Sequence, residues 1–72
     1  MYEFRFTLNV PAKKINELYQ DGMRQVIVRS HNGKRIQLPA HELRRFITDS
    51  GLVGSFRVVF DENNKLIRLE RI

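Results

Sequence analysis

Apolar and polar residues alternate without a break from Tyr2 to Val10. A period of two places the apolar side chains on one face of an extended strand and the polar side chains on the other. The apolar face consists of Tyr2, Phe4, Phe6, Leu8 and Val10. The pattern therefore predicts a half-buried strand whose polar face, with Arg5 on it, lies toward solvent.

Two later segments that open with Pro-Ala have the spacing of short amphipathic helices. Proline suits a first helical turn, because its missing N–H would have no partner there. Counted from Pro11 and from Pro39, the apolar residues fall at equal offsets. They are Ile15, Leu18 and Tyr19 in the first helix and Leu43, Phe46 and Ile47 in the second. We expect Gly22 and Gly51 to end these helices, with a flexible stretch over residues 51–54.

A hairpin is predicted where the strand Arg24–Ser30 returns into Lys34–Leu38. A two-residue turn at Asn32-Gly33 would mix polar and apolar residues on both faces. A three-residue loop that ends in Gly33 as a left-handed bulge instead pairs apolar residues with each other. The predicted pairs are Val28 with Ile36 and Val26 with Leu38. This register turns four side chains outward, namely Ile27, Arg29, Arg35 and Gln37.

A second hairpin closes the chain, and a turn at Asn63-Asn64 matches its two strands by character. The predicted pairs are Phe60 with Ile67, Val58 with Leu69, and Arg57 with Glu70. Arg57, Val59 and Arg68 then face outward. Each Pro-Ala helix thus leads into a hairpin. The ordinary start and stop signals of a helix-hairpin unit explain this repeated layout more simply than a duplication of the sequence does.

These elements predict an α+β domain of order β-α-β-β-α-β-β. Both short helices are expected on one face of a five-stranded, mainly antiparallel sheet. The 72 residues form one domain, 1–72, because so short a chain cannot bury two cores. The chain has no cysteine, so its stability must come from packing. No apolar run reaches the length of a signal peptide or a membrane span, and a soluble cytoplasmic protein is expected.

Several stretches spread over almost the whole chain resemble a known family. They are Arg24–Arg29, Gly33–Ala40, Leu43–Phe46, Gly51–Arg57, Phe60–Lys65 and Leu69-Glu70. Through them the chain resembles the short bacterial family DUF2835, a domain of unknown function. That family has no established activity, so the resemblance implies a free-standing domain and transfers no functional residue.

No motif for catalysis or metal binding is complete. His41 begins a helix like that of zinc proteases, but Arg45 stands where the second histidine ligand belongs. The Asp61–Lys65 segment begins like a calcium loop but has lysine at its fifth place, and a tight turn explains it better. No serine lies in a nucleophile elbow, and no glycine-rich phosphate loop occurs. We therefore predict no enzyme, no cofactor and no metal.

Five arginines share the predicted outer face of the sheet: Arg5, Arg29, Arg35, Arg57 and Arg68. Their planar guanidinium groups suit bidentate contact with phosphate or carboxylate. Ile27 and Val59 lie among them and would form a small hot spot for a protein partner if they were adjacent. A plain solvated face is the alternative, because antiparallel sheets commonly leave one side wet.

Thirteen lysines and arginines against eight acidic residues give a net charge of +5, which suits an anionic partner. Two features argue against nucleic acid: Glu3 and Glu70 lie on the arginine face, and the aromatic residues of the strands point inward. The leading hypothesis is a non-enzymatic accessory or protein-interaction module that uses the arginine face. The alternative is a weak, sequence-tolerant nucleic-acid-binding protein that also uses Lys13, Lys14, Arg44 and Arg45.

Overall fold

The computed structural model describes residues 1–19 and 24–72, without the side chains of 17–19. Its five strands are β1 (Tyr2–Pro11), β2 (Gln25–Arg29), β3 (Arg35–Pro39), β4 (Gly51–Phe60) and β5 (Leu66–Arg71). A 3-10 helix, Ala12–Tyr19, follows β1, and an α-helix, α1 (Ala40–Arg44), follows β3. Helices and antiparallel strands thus both occur, as the α+β prediction requires, and the strands dominate.

The strands form two antiparallel sheets, so the prediction of one five-stranded sheet is wrong. One sheet has the order β1-β4-β5 and the other pairs β2 with β3. The tip of the β2–β3 hairpin touches the larger sheet where the His31 N–H donates to the Arg5 carbonyl at 2.8 Å. The hairpin folds its apolar face onto that of the larger sheet, because two such short helices are too small to cover the whole apolar face.

The core lies between the two sheets and receives residues from both. Its buried members are Phe6, Val28, Ile36, Leu38, Leu43, Leu52, Phe56, Val58, Phe60 and Leu69. The ring of Phe56 is central, since its centroid lies 5.5 Å from that of Phe6 and 5.2 Å from that of Phe46. Apolar alternation along the strands therefore identifies the buried face correctly.

The predicted register of the first hairpin is confirmed. Val28 pairs with Ile36 and Val26 with Leu38. Gly33 has a left-handed φ of 88°, and the Ser30 N–H donates to the Lys34 carbonyl at 2.8 Å, as a three-residue bulged loop requires.

The predicted register of the second hairpin is confirmed in part. Arg57 pairs with Glu70 and Val58 with Leu69, but Phe60 pairs with Leu66 and not with Ile67. The loop has three residues, because Asn64 takes a left-handed φ of 63° and the Asp61 N–H donates to the Lys65 carbonyl at 2.9 Å. The strands therefore leave the loop one residue out of the predicted register. A bulge at Ile67, which is 51% exposed, restores it.

Both helices differ from their predicted extents. Pro11 is the last residue of β1 and does not start a helix, and the first helix is a 3-10 helix. Of its predicted buried stripe, Ile15 is half-buried, whereas the side chains of Leu18 and Tyr19, and Gly22 entirely, lie outside the described residues. The second helix has five residues and ends at Arg44.

A tight turn, and not a helix end, lies at residues 48–51. The Thr48 N–H donates to the Gly51 carbonyl at 2.8 Å, and the Gly51 N–H donates back at 2.9 Å. The predicted flexible stretch 51–54 belongs to β4 and pairs with Leu8–Pro11 of β1. Gly51 is thus the first residue of a central strand, where it adopts a φ of 106°.

Candidate functional site

The outer face of the three-stranded sheet carries three of the five predicted arginines together with two carboxylates. Arg57, on the central strand, donates to Glu70 Oε1 at 2.6 Å and lies 2.9 Å from Glu3 Oε1. Glu3 also lies 3.5 Å from Arg5, which is directly opposite Arg57 in the ladder. Arg68 completes the set from β5. Two carboxylates thus offset most of the arginine charge on this face.

The ion pair between Glu3 and Arg57 shifts the pKa of both groups. The hydrogen bond from Arg57 chiefly holds the pKa of the Glu3 carboxyl below its ordinary value of 4.5, against a smaller opposing effect of desolvation. The hydrogen bonds to Glu3 and then to Glu70 raise the pKa of Arg57. Since Glu3 is exposed and Arg57 and Glu70 are only half-buried, we expect only a small contribution to stability.

We expect this contribution to disappear in acid. The pKa of Glu3 is lower in the folded than in the unfolded chain, so its stabilisation is complete above pH 4.5 and is lost as the pH falls through the folded pKa. Thermal unfolding of the native protein and of Glu3→Gln, measured over a pH series, should show a gap in Tm that closes below pH 4.5. A gap that stays constant across the series would contradict the assignment.

The outer face of the β2–β3 hairpin has a different character. Ile27 lies opposite Gln37, and Arg29 lies opposite Arg35. The side chain of Ile27 is 56% exposed. Arg29 Nη1 donates to the Gly33 carbonyl at 3.1 Å, and within the described part of the chain neither arginine forms an ion pair. This face carries two uncompensated arginines beside an exposed isoleucine.

The five arginines therefore do not share one continuous sheet face, contrary to the sequence-based expectation. Arg29 and Arg35 belong to one sheet and the other three to the second. Ile27 and Val59 are not adjacent either, because Val59 lies in β4 between Glu3 and Arg68. Val59 is only 5% exposed and cannot form the predicted hot spot. The expectation is wrong because it assumed a single sheet.

A groove of about 600 Å³ lies where the two sheets diverge, and sequence reasoning missed it. Its lining residues are Tyr2, Phe4, Gln25, Lys34, Arg35, Ile36, Gln37, Phe60 and Asn64. Phe4 and Phe60 meet edge to face with centroids 6.2 Å apart, and Lys34 Nζ lies 5.7 Å from the Phe4 ring centroid. Tyr2, which the alternation assigned to the buried face, is 52% exposed at this end.

Strand length is the signal that would have predicted the groove. The first strand has ten residues, whereas each strand of the hairpin that covers it has five. The hairpin tip meets β1 at Arg5, and Tyr2 and Phe4 precede that contact in the strand. An apolar strand longer than its cover leaves apolar surface uncovered at one end.

The two histidines lie apart from the groove. His31 Nε2 is 2.9 Å from Thr7 Oγ1, which is in turn 3.1 Å from Ser55 Oγ. His41 is exposed in the first turn of α1. Among residues 1–19 and 24–72, no three histidine, aspartate or glutamate side chains lie close enough together to hold a metal ion. In the same part of the chain, no helix has the length and apolar character to cross a membrane.

The model of the family described as Protein of unknown function (DUF2835) matches residues 2–72, which is nearly the whole chain. The chain belongs to this family. The match confirms the resemblance read from the sequence. No curated protein and no solved structure matches the chain. Membership of DUF2835 assigns no residue a role, so functional inference rests on the geometry of the hairpin face and the groove.

Proposed function

We propose that the domain is a non-enzymatic protein-interaction module that binds its partner through the outer face of the β2–β3 hairpin. The observation that supports this is the 56% exposure of Ile27 beside two arginines that have no carboxylate partner among the described residues. Interfaces typically combine an apolar centre with arginine and exclude other charge. The partner would present an apolar contact for Ile27 surrounded by acidic residues.

The larger sheet is a poorer candidate for the same role. An incoming acidic surface would have to displace Glu3 and Glu70 from Arg57, which they already hold at 2.9 and 2.6 Å. Charge complementarity governs association rate and specificity, so a compensated face attracts an acidic partner weakly. In the part of the chain that the structure describes, no carboxylate pairs with Arg29 or Arg35.

The contact between Thr7 and His31 does not support catalysis. A nucleophile with its base needs a third group to orient the base, usually a carboxylate. Among the described residues no carboxylate bonds to His31, and both members of the pair are exposed at the sheet edge. The hydroxyl and the imidazole are better explained as a polar link between the hairpin tip and β1.

Reversing the charge of Arg29 and Arg35 tests the proposal. Tagged native protein, Arg29→Glu plus Arg35→Glu, and a matched control, Arg5→Glu plus Arg68→Glu, would each be used to capture partners from cell extract. We expect the hairpin variant to lose partners that the control retains, because the proposed interface is the outer face of the hairpin, whereas Arg5 and Arg68 lie on the larger sheet with Glu3 and Glu70. Identical partner sets for all three proteins would overturn the role of this face.

Nucleic acid is the second candidate, favoured by one observation. Tyr2 is half exposed in the groove near Lys34 and Arg35, and stacking on an aromatic ring beside cations is typical of single-strand binding. Treating the extract with nuclease before capture separates the candidates. Partners that survive the treatment support the protein module, whereas partners that all vanish with it support nucleic-acid binding.

A further inference from the structure

We propose that the groove binds an extended acidic segment of the partner, which pairs with the free edge of β3 as an added strand. This inference rests on the proposed function and specifies how the partner is bound. Three observations carry it: the direction of the backbone groups of β3, the lining of the groove, and the charge around it.

The hydrogen-bond pattern identifies which backbone groups of β3 are free. The Ser30 N–H bonds to the Lys34 carbonyl at 2.8 Å and the Ala40 N–H to the Arg24 carbonyl at 2.9 Å. Bonded pairs alternate with non-bonded pairs in an antiparallel ladder, so the even-numbered residues of β2 and β3 bond to each other. The N–H and C=O groups of Arg35 and Gln37 therefore point away from β2. They meet no hydrogen-bond partner within the described part of the chain.

The groove lies along that edge. Four consecutive residues of β3 and its preceding turn line it, from Lys34 to Gln37. Successive side chains of a strand point to opposite faces, so four in a row can line one space only at the strand edge. The rest of the lining consists of the rings of Tyr2, Phe4 and Phe60 together with Gln25 and Asn64. The space thus offers both a hydrogen-bonding edge and aromatic rings.

The lining also determines the chemistry of the added segment. Side chains that point inward would contact Phe4 and Tyr2, which favours apolar residues at alternate positions. Side chains that point outward would lie beside Arg35, which has no carboxylate partner among the described residues. Lys34, held over the Phe4 ring, adds a second cation. An extended segment that alternates apolar and acidic residues matches both the rings and the cations.

The two outer edges of the larger sheet, β1 and β5, are partly closed by the protein itself. Arg45 Nη2 donates to the Leu69 carbonyl at 3.1 Å, which occupies an acceptor on the outer edge of β5. The His31 N–H occupies the Arg5 carbonyl on the edge of β1. Proteins commonly block exposed edges with cationic side chains and loops in this way, because a free edge recruits other chains. The edges of β2 and β3 have no such block among the described residues, but the groove is lined by Lys34 to Gln37 along β3 and by Gln25 alone from β2.

A short fluorescein-labelled peptide of alternating valine and glutamate is the probe. We expect it to bind the native protein, with new protection of the Arg35 and Gln37 amide protons in NMR spectra. The same peptide with N-methyl groups on alternate residues cannot complete the ladder and should bind about tenfold more weakly or less. A peptide with lysine in place of glutamate should not bind, because it meets Lys34 and Arg35.

Gln37→Pro is the decisive variant, with Gln37→Ala as its matched control. Proline removes an N–H that β2 does not use, so the hairpin is retained while the edge loses a donor. We expect weaker peptide binding by Gln37→Pro alone, measured by fluorescence anisotropy, with unchanged far-UV circular dichroism. Equal binding of the N-methylated peptide would overturn strand addition.

Two further outcomes separate this inference from the proposed function. Peptide binding that is lost in Arg29→Glu but unaffected in Gln37→Pro would assign the partner to the outer hairpin face, which overturns strand addition and leaves the interaction module intact. A dimer that Gln37→Pro abolishes, in a protein that binds no peptide, would make a second copy the occupant and overturn the peptide proposal.

Discussion

Gly51→Ala is expected to unfold the domain or to reduce its free energy of unfolding by more than about 3 kcal/mol. A methyl group built on Gly51 overlaps the carbonyl oxygen of Val10 and lies 2.7 Å from the backbone nitrogen of Ala12. These neighbours are backbone atoms at the junction of β1 and the 3-10 helix, so no side chain can move aside. The backbone of Gly51 also has a φ of 106°, which an alanine rarely adopts.

Gly33→Ala is the matched control for this prediction. Gly33 also has a positive φ, 88°, but a methyl group there would meet nothing within 4 Å. Gly33→Ala should therefore reduce the free energy of unfolding only by the cost of a left-handed alanine, about 1–2 kcal/mol. Urea denaturation followed by circular dichroism measures both variants. Equal losses in the two proteins would show that the close approach of β4 to β1 does not limit stability.

Gly33 and Gly51 also show which features the sequence could and could not predict. The sequence predicts the bulged loop at Gly33 correctly because the role of Gly33 is local, and a register argument over a few residues distinguishes this loop from a two-residue turn. The sequence predicts a helix end at Gly51 because the apolar residues before it have the spacing of a helix. Its actual role depends on Pro11, which is distant in sequence and lies opposite it in the ladder. Pairing at that range leaves no local pattern.

The difference between local and long-range signals also explains which part of the candidate surface was predicted correctly. Alternation correctly predicted which side of each strand is buried, so Arg29, Arg35 and Ile27 are outward as expected. Whether two hairpins join edge to edge or pack face to face depends on how much apolar area each arrangement buries. The same alternation of apolar and polar residues is compatible with both arrangements and does not distinguish them. Val59 shows that an outward position does not ensure exposure. It points outward, and yet its side chain is only 5% exposed among the charged side chains of the larger sheet.

Phe56→Ala is expected to remove most of the stability of the domain. Phe56 has no exposed surface, stacks on Phe6 at an interplanar angle of 21° and meets Phe46 edge to face at 70°. Truncating a buried phenylalanine costs about 3–5 kcal/mol, and the aromatic pairs add about 0.5–1.5 kcal/mol each. A domain of 72 residues has a free energy of unfolding of about 4–11 kcal/mol. The expected loss is comparable with this whole stability, so the variant should be at most marginally stable at room temperature.

Two controls make the Phe56 result specific. Phe56→Leu keeps an apolar side chain in the site and should cost less, about 1–2 kcal/mol. Tyr2→Ala removes a ring that is 52% exposed and should cost under about 1 kcal/mol. Urea denaturation with circular dichroism gives all three values. If Phe56→Ala cost no more than Tyr2→Ala, the ring cluster would not be the centre of the core, and the packing of the hairpin on the larger sheet would need another cause. The ordering Phe56→Ala, Phe56→Leu, Tyr2→Ala is expected because Phe56 is fully buried in the core that both sheets share, whereas Tyr2 is half exposed.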